Sequence, residues 1–138
     1  MGTALLSGIL QATKNSSHDL KFSLSVRSEA SLDRLQQDSR LAGRTQYVGT
    51  SNVEAARLSD VALLGFQPHQ LSEILSEPGL AEALKDKLII SLLAGVPTRQ
   101  ISASLADSDR VARVIPSIGA QINESMSLIA AASLNAVD

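Results

Sequence analysis

Ser59-Asp60-Val61-Ala62-Leu63-Leu64-Gly65-Phe66-Gln67-Pro68 is the stretch on which the fold turns. Its continuous apolar run, Val61 to Leu64, is of the kind buried on both faces in a parallel sheet. Gly65 to Gln67 then forms a turn, and Pro68 suits the first turn of a following helix. The arrangement recurs in Leu88-Ile89-Ile90-Ser91-Leu92-Leu93, which leads into Ala94-Gly95-Val96-Pro97. Between the two runs, Leu71, Ile74 and Leu75 keep helical spacing, Pro78-Gly79 interrupts, and Leu80 to Leu84 resumes. Upstream, Leu5, Leu6, Ile9 and Leu10 share a helical face over about Thr3 to Thr13, and Lys21 to Val26 alternates polar with apolar as a strand does. Leu32 and Leu35 mark a short helix, Tyr47-Val48 a short strand, and Asn52 can cap a helix running through Leu58. Downstream, Thr98 can cap a helix carrying Ile101 and Leu105. Val111 to Ile115 is a strand stopped by Pro116, and Met126 to Ile129 is a further candidate strand. Strands alternating with helices over short connections predict an α/β fold, a parallel sheet covered by helices on both faces.

Composition narrows the function. The chain has 138 residues, one domain at most, with 12 basic and 14 acidic side chains and a net charge of −2. Its basic residues are scattered, which argues against nucleic acid as a partner. The absence of cysteine excludes disulfides, thiolate nucleophiles and cysteine-based zinc sites, and His18 and His69 stand apart, so no metal is expected. Leu88 to Val96, broken by Ser91 and Gly95, falls far short of the roughly 18 residues of a membrane helix. The N-terminus lacks the basic region and cleavage site of a signal peptide, and the expected location is cytoplasmic.

The chain opens directly on a helix, where folds of this type open on a strand. In a dinucleotide-binding unit a glycine-rich turn joins the first strand to that helix, whose N-terminus faces the pyrophosphate; Gly2 is placed to be its third glycine. A glycine after an initiator methionine is also commonplace. Arg27-Ser28 ends the next strand, where such folds read the ribose, and arginine in place of an acid favours a 2′-phosphate, hence NADPH over NADH. The plainer reading of Arg27 is a solvated charge, and of Asn52 a helix cap. The turns at Gly65 to Pro68 and Ala94 to Pro97 lie at the carboxyl ends of strands, where open α/β sheets bind ligands. His69 reads as a solvated or capping residue and His18 as a loop residue. No Ser/His/Asp spacing or phosphate-binding loop is present and no acid–base residue stands out, which is compatible with hydride transfer.

In their order, these segments resemble the N-terminal domain of the pyrroline-5-carboxylate reductase family. Met1 to Gly8 is similar to the end of its GxGxMG turn and the small, apolar helix that follows, and Arg27-Ser28 resembles its 2′-phosphate-binding pair. Ser59 to Pro68 looks like ADVVxLAVKP, and Ile90 to Val96 like ISxxAGV. Arg110-Val111-Ala112-Arg113-Val114-Ile115-Pro116-Ser117 followed by Glu124-Ser125-Met126 resembles RVxRxMPN and GEGM. Gln67 stands where the family usually has lysine, and Ser117 where it has asparagine.

The resemblance implies a Rossmann-type doubly wound parallel sheet, residues 1–138 being one partial NAD(P)-binding domain truncated at both ends. The first strand and the family's helical C-terminal dimerisation domain are then missing. Because the first strand is central in such a sheet, its loss leaves two inner edges unpaired, an aggregation hazard. The implied activity is reduction of Δ1-pyrroline-5-carboxylate to L-proline with NADPH, or less favourably NADH, in proline biosynthesis, the fragment being inactive alone. The implied cofactor residues are Gly2, Arg27, Ser28, Asn52, Gln67, Pro68, Ala94 and Gly95, with Pro116 and Ser117 near the imino-acid substrate and no catalytic residue assigned. The family's full-length chains form homo-oligomers; this fragment alone is not expected to. Two alternatives stand beside this reading: a non-catalytic interaction module, and a reductase of another cyclic imine in a specialised pathway. A dehydrogenase of the β-hydroxyacid type would need a lysine or aspartate after the last strand, and no candidate is seen.

Overall fold

The computed structural model describes residues 2–106, 110–116 and 127–131. Met1, Ser117 and Glu124 to Met126, all named above, lie outside them. Two sheets carry the described chain. In the first, β1 (Phe22–Ser25) runs parallel to β2 (Thr45–Gly49). The second has the order β3 (Val61–Leu64), β4 (Leu88–Ser91), β5 (Val111–Pro116), β6 (Ser127–Ala131). Its first three strands are parallel, and β6 closes it antiparallel to β5. The helices are α1 (Gly2–Ala12), α2 (Glu29–Gln36), α3 (Asn52–Arg57), α4 (Leu71–Leu75), α5 (Leu80–Ala83) and α6 (Thr98–Ser104), with 3-10 turns at Ser39–Leu41 and Pro68–Gln70. No helix among the described residues is long and apolar enough to cross a membrane.

The parallel α/β alternation is as expected, but in two pieces. Among the described residues β1 and β3 are each paired on one side only, the arrangement left when the central strand of a doubly wound sheet is taken away. The consequence shows in burial. On β4, with neighbours on both sides, Ile89 and Ser91 are 0% exposed; on β3, Val61 and Leu63 remain 46% and 45% exposed and only Leu64 is buried. Burial of β3 on both faces, expected from its composition, is therefore not realised, because an edge strand lacks the neighbour and crossover that would cover it.

The main core lies on the β3–β5 side, where Ile89, Leu93 and Ile101 are almost wholly buried and Leu71, Leu75, Leu80 and Leu84 pack around them. α3 joins the halves: Ala56 belongs to that core and Val53 packs against it, while the helix also packs on β1 and β2. Three local details follow from side-chain chemistry. Ser51, not Asn52, caps α3, its Oγ accepting the N–H of Glu54 at 3.2 Å. The Ser51-x-x-Glu54 spacing is that of a capping box, which places Asn52 one residue inside the helix. Pro97, not Thr98, is the N-cap position of α6. Finally, Arg44 ties α1 to β1: it donates to the Leu10 carbonyl (3.3 Å) and Thr13 Oγ1 (2.7 Å), with its guanidinium 5.1 Å from the Phe22 ring centroid. A cation there complements the negative end of the helix.

Candidate functional site

Gly65, directly after β3, lies against the start of α1. A Cβ on Gly65 would stand 3.5 Å from the Gly2 Cα and 4.0 Å from the Gly2 nitrogen and Leu92 Cδ1. The first turn of α1, with its unpaired N–H groups, thus opens at the carboxyl end of β3, the position of the phosphate site in dinucleotide-binding folds. Nothing lies within 4 Å of where a Cβ at Gly2 would sit, and a Cβ at Gly65 would make ordinary van der Waals contact with Gly2.

Asn52, Arg27 and Ser28 each have their own partners. Asn52 Oδ1 accepts from Ser25 Oγ (2.8 Å), and its Nδ2 donates to Glu77 Oε2 (3.0 Å), so one side chain joins the end of β1, the start of α3 and the segment beyond α4. Arg27 is exposed, with Glu73 of α4 at 4.0 Å. Ser28 caps α2, its Oγ accepting the N–H of Ser31 at 3.2 Å. Arg27 and Asn52 are thereby both tied to the segment following Pro68.

Gln67 and Pro68 sit at the turn after β3, Pro68 opening the 3-10 turn and the Gln67 N–H donating to Gln70 Oε1 at 3.0 Å. Gln67 is exposed. Ala94 and Gly95 are exposed between the buried Leu93 and Val96, with Gly95 at φ +73°, a conformation that suits glycine. Pro116 ends β5 opposite Ser127, at the same carboxyl end of the parallel set; Ser117 lies outside the described residues. His69 is exposed in the 3-10 turn, and among the described residues the exposed His18 bonds only its near neighbours in the loop, its ring to Ser16 Oγ (3.2 Å) and its carbonyl to the Leu20 N–H (3.0 Å).

Electrostatics elsewhere are structural. The Arg40 side chain hydrogen-bonds Asp38, with Nη2 to Oδ2 at 2.6 Å, and holds its carboxyl below the usual range, while slight burial acts the other way. That contribution is present above the ordinary carboxylate range and is lost as pH falls through the depressed value. A cavity of about 580 Å³ between the end of α1 and the Ser16–Leu20 loop includes Arg40 and Arg44, but Asp38 and the end of α1 already engage both. No group of three or more potential metal-ligating side chains is found among the described residues.

Sequence reading missed Glu77 and Ser25, the two partners of Asn52. Ser25 lies within the strand read over Lys21 to Val26, but Glu77 is 25 residues from Asn52 in the chain and only folding brings them together.

Residues 1–95 match the family model described as NADP oxidoreductase, coenzyme F420-dependent. A pyrroline-5-carboxylate reductase of Schizosaccharomyces pombe is 34% identical over 139 residues, covering 94% of this chain and 49% of the relative. Among solved structures, a pyrroline-5-carboxylate reductase of Coxiella burnetii superposes with a TM-score of 0.73 at 24% identity, covering 91% of this chain and 45% of that one. The Plasmodium falciparum pyrroline carboxylate reductase with NADP bound gives 0.72 at 20% identity, covering 100% of this chain and 47% of that one. The chain spans about half the length of these and other curated relatives it matches. The Rossmann-type fold and the order of motifs agree with these relationships, and the chain belongs to the NADP oxidoreductase, coenzyme F420-dependent family, being similar within it to the N-terminal half of pyrroline-5-carboxylate reductases.

Proposed function

We propose that this protein binds NADPH and serves as the nucleotide-binding part of a cytoplasmic reductase that converts Δ1-pyrroline-5-carboxylate to L-proline, with residues 1–138 forming one partial domain. The observation that carries this reading is the opening of α1 at Gly65, with Arg27 exposed beyond β1. The residues fit such a ligand. Gly65 stands in van der Waals contact with the start of α1, and Arg27 has only a long, solvent-exposed ion pair to give up.

Arg27 and Ser28 hold the 2′-phosphate, Asn52 supports the adenosine side, and the N–H groups at the start of α1 meet the pyrophosphate. Gln67, Pro68, Ala94 and Gly95 border the nicotinamide side, with Pro116 and Ser117 toward the substrate. Reduced nicotinamide, when bound, supplies hydride to the C=N carbon of the cyclic imine. The chain's own residues contribute binding and orientation, which keep the two rings in reacting geometry. The remaining half of the relatives' length supplies the rest of the imino-acid pocket and the oligomer contacts, so the 138-residue chain binds cofactor without turning substrate over.

Titration of the 138-residue protein with NADPH, read by calorimetry beside circular dichroism, tests the reading. Saturable binding to a folded chain is expected. A folded chain that binds neither NADPH nor NADH overturns it.

A further inference from the structure

Ser91 and Arg113 are directly paired across β4 and β5. Ser91 is 0% exposed and its Oγ accepts the N–H of Leu93 at 3.2 Å. Arg113 Nη1 donates to the Val96 carbonyl at 3.4 Å, and its Nε is buried with no hydrogen-bond partner. One side chain therefore holds the start of the turn that follows β4, and the other holds its end. Between these anchors Leu93 and Val96 are buried, while Ala94 and Gly95 face outward.

A charge in this position needs a reason. Val111, two residues earlier on the same face of β5, is apolar and 3% exposed, and an apolar neighbour would pack there without desolvating a guanidinium. Closing the turn does not require the charge either, because Leu93 and Val96 are buried and the Val96 N–H reaches the Leu93 carbonyl at 3.4 Å. The guanidinium adds a directional hold on the Val96 carbonyl, fixing the Val96–Pro97 peptide plane, one residue beyond Gly95. Gly95, at φ +73°, is the most permissive link of the turn, so a fixed plane at the turn's end restricts the orientations that Ala94 and Gly95 can present.

We propose that Arg113, together with Ser91, is a positioning residue that sets the Ala94–Gly95 turn against the nicotinamide half of the dinucleotide. The proposal rests on the cofactor reading above. A dinucleotide with its 2′-phosphate at Arg27 extends across the point where strand order reverses, which places its other half over β3, β4 and β5. Ser91 and Arg113 act through the turn and do not touch the ligand.

The test compares two probes on the 138-residue protein: NADPH, and 2′,5′-ADP, which carries only the adenosine half. Arg113→Met keeps the bulk and removes the charge. It is expected to lower NADPH affinity about tenfold, the scale of ordering a loosened turn on binding, while 2′,5′-ADP affinity stays at the wild-type value. Arg113→Lys is expected to recover part of the NADPH loss. An unchanged NADPH affinity overturns the proposal, as does an equal loss for both probes accompanied by a lower thermal midpoint, since that is the mark of a merely structural residue. If Arg113→Met does not fold, Ser91→Ala, which removes one hydroxyl, must show the same split between probes, and its absence overturns the proposal. A wild-type protein that binds neither probe overturns the nucleotide reading itself, an outcome distinct from wild-type binding with no split in the variants.

Discussion

Arg27 has one carboxylate near it, Glu73 at 4.0 Å, with the two side chains 74% and 71% exposed. An exposed pair at that separation contributes little, so the guanidinium is free to meet a stronger anion. In a protein that binds both cofactors, Arg27→Ala is expected to weaken NADPH by about 1.5–3 kcal/mol and leave NADH nearly unchanged, as calorimetric titration would read it. Equal losses would remove Arg27 from the 2′-phosphate site. Glu73 competes for the same cation, so Glu73→Gln is expected to tighten NADPH by up to about fivefold without affecting NADH. The gain should fade near 1 M salt, where the Debye length is about 3 Å; a gain that persists would argue against an electrostatic origin. Arg27 was legible in the sequence because its place at a strand end is local. Glu73, Glu77 and the hold of Arg113 on Val96 were not, since each joins positions far apart in the chain.

β3 and β4 read almost identically as apolar runs, yet one is an edge and the other an interior strand. Composition revealed that both were strands; their burial followed from their neighbours. The same distinction holds for helix starts. Ser51 and Glu54 carry the S-x-x-E spacing that marks a cap, whereas Asn52, a good capping residue by type, lies one position too late. Ser51→Ala is expected to cost about 1 kcal/mol of stability in urea denaturation, while the cap assignment fails if Asn52→Ala lowers stability and Ser51→Ala does not. Asn52 instead serves the Ser25 and Glu77 contacts. In the core, Ile101 is 0% exposed, and Ile101→Ala should cost about 2–5 kcal/mol, the combined loss of burial and an unfilled cavity.

Over the whole molecule, two half-sheets are joined by α3, the Ser25–Asn52–Glu77 contacts and the seat of α1 on Gly65. Most of the core lies on the β3–β5 side, so amides of β4 are expected to exchange with solvent more slowly than those of β1; equal protection would mean the halves unfold as one unit. Extending the chain ahead of Gly2 with an apolar strand and a glycine turn should raise the thermal midpoint and tighten NADPH, as strand edges gain partners. No change in either would show that β1 and β3 do not share a common gap. Periodicity, turn residues and the order of short motifs were enough to read the α/β alternation, the family resemblance and most of the candidate ligand turns, because each depends on residues close together in the chain. The exposed β3, the ties of Asn52 to Glu77 and of Arg27 to Glu73, the antiparallel β6 and the pairing of Ser91 with Arg113 depend on which segments become neighbours in space. Long-range pairing and packing set those relations, and no local pattern encodes them.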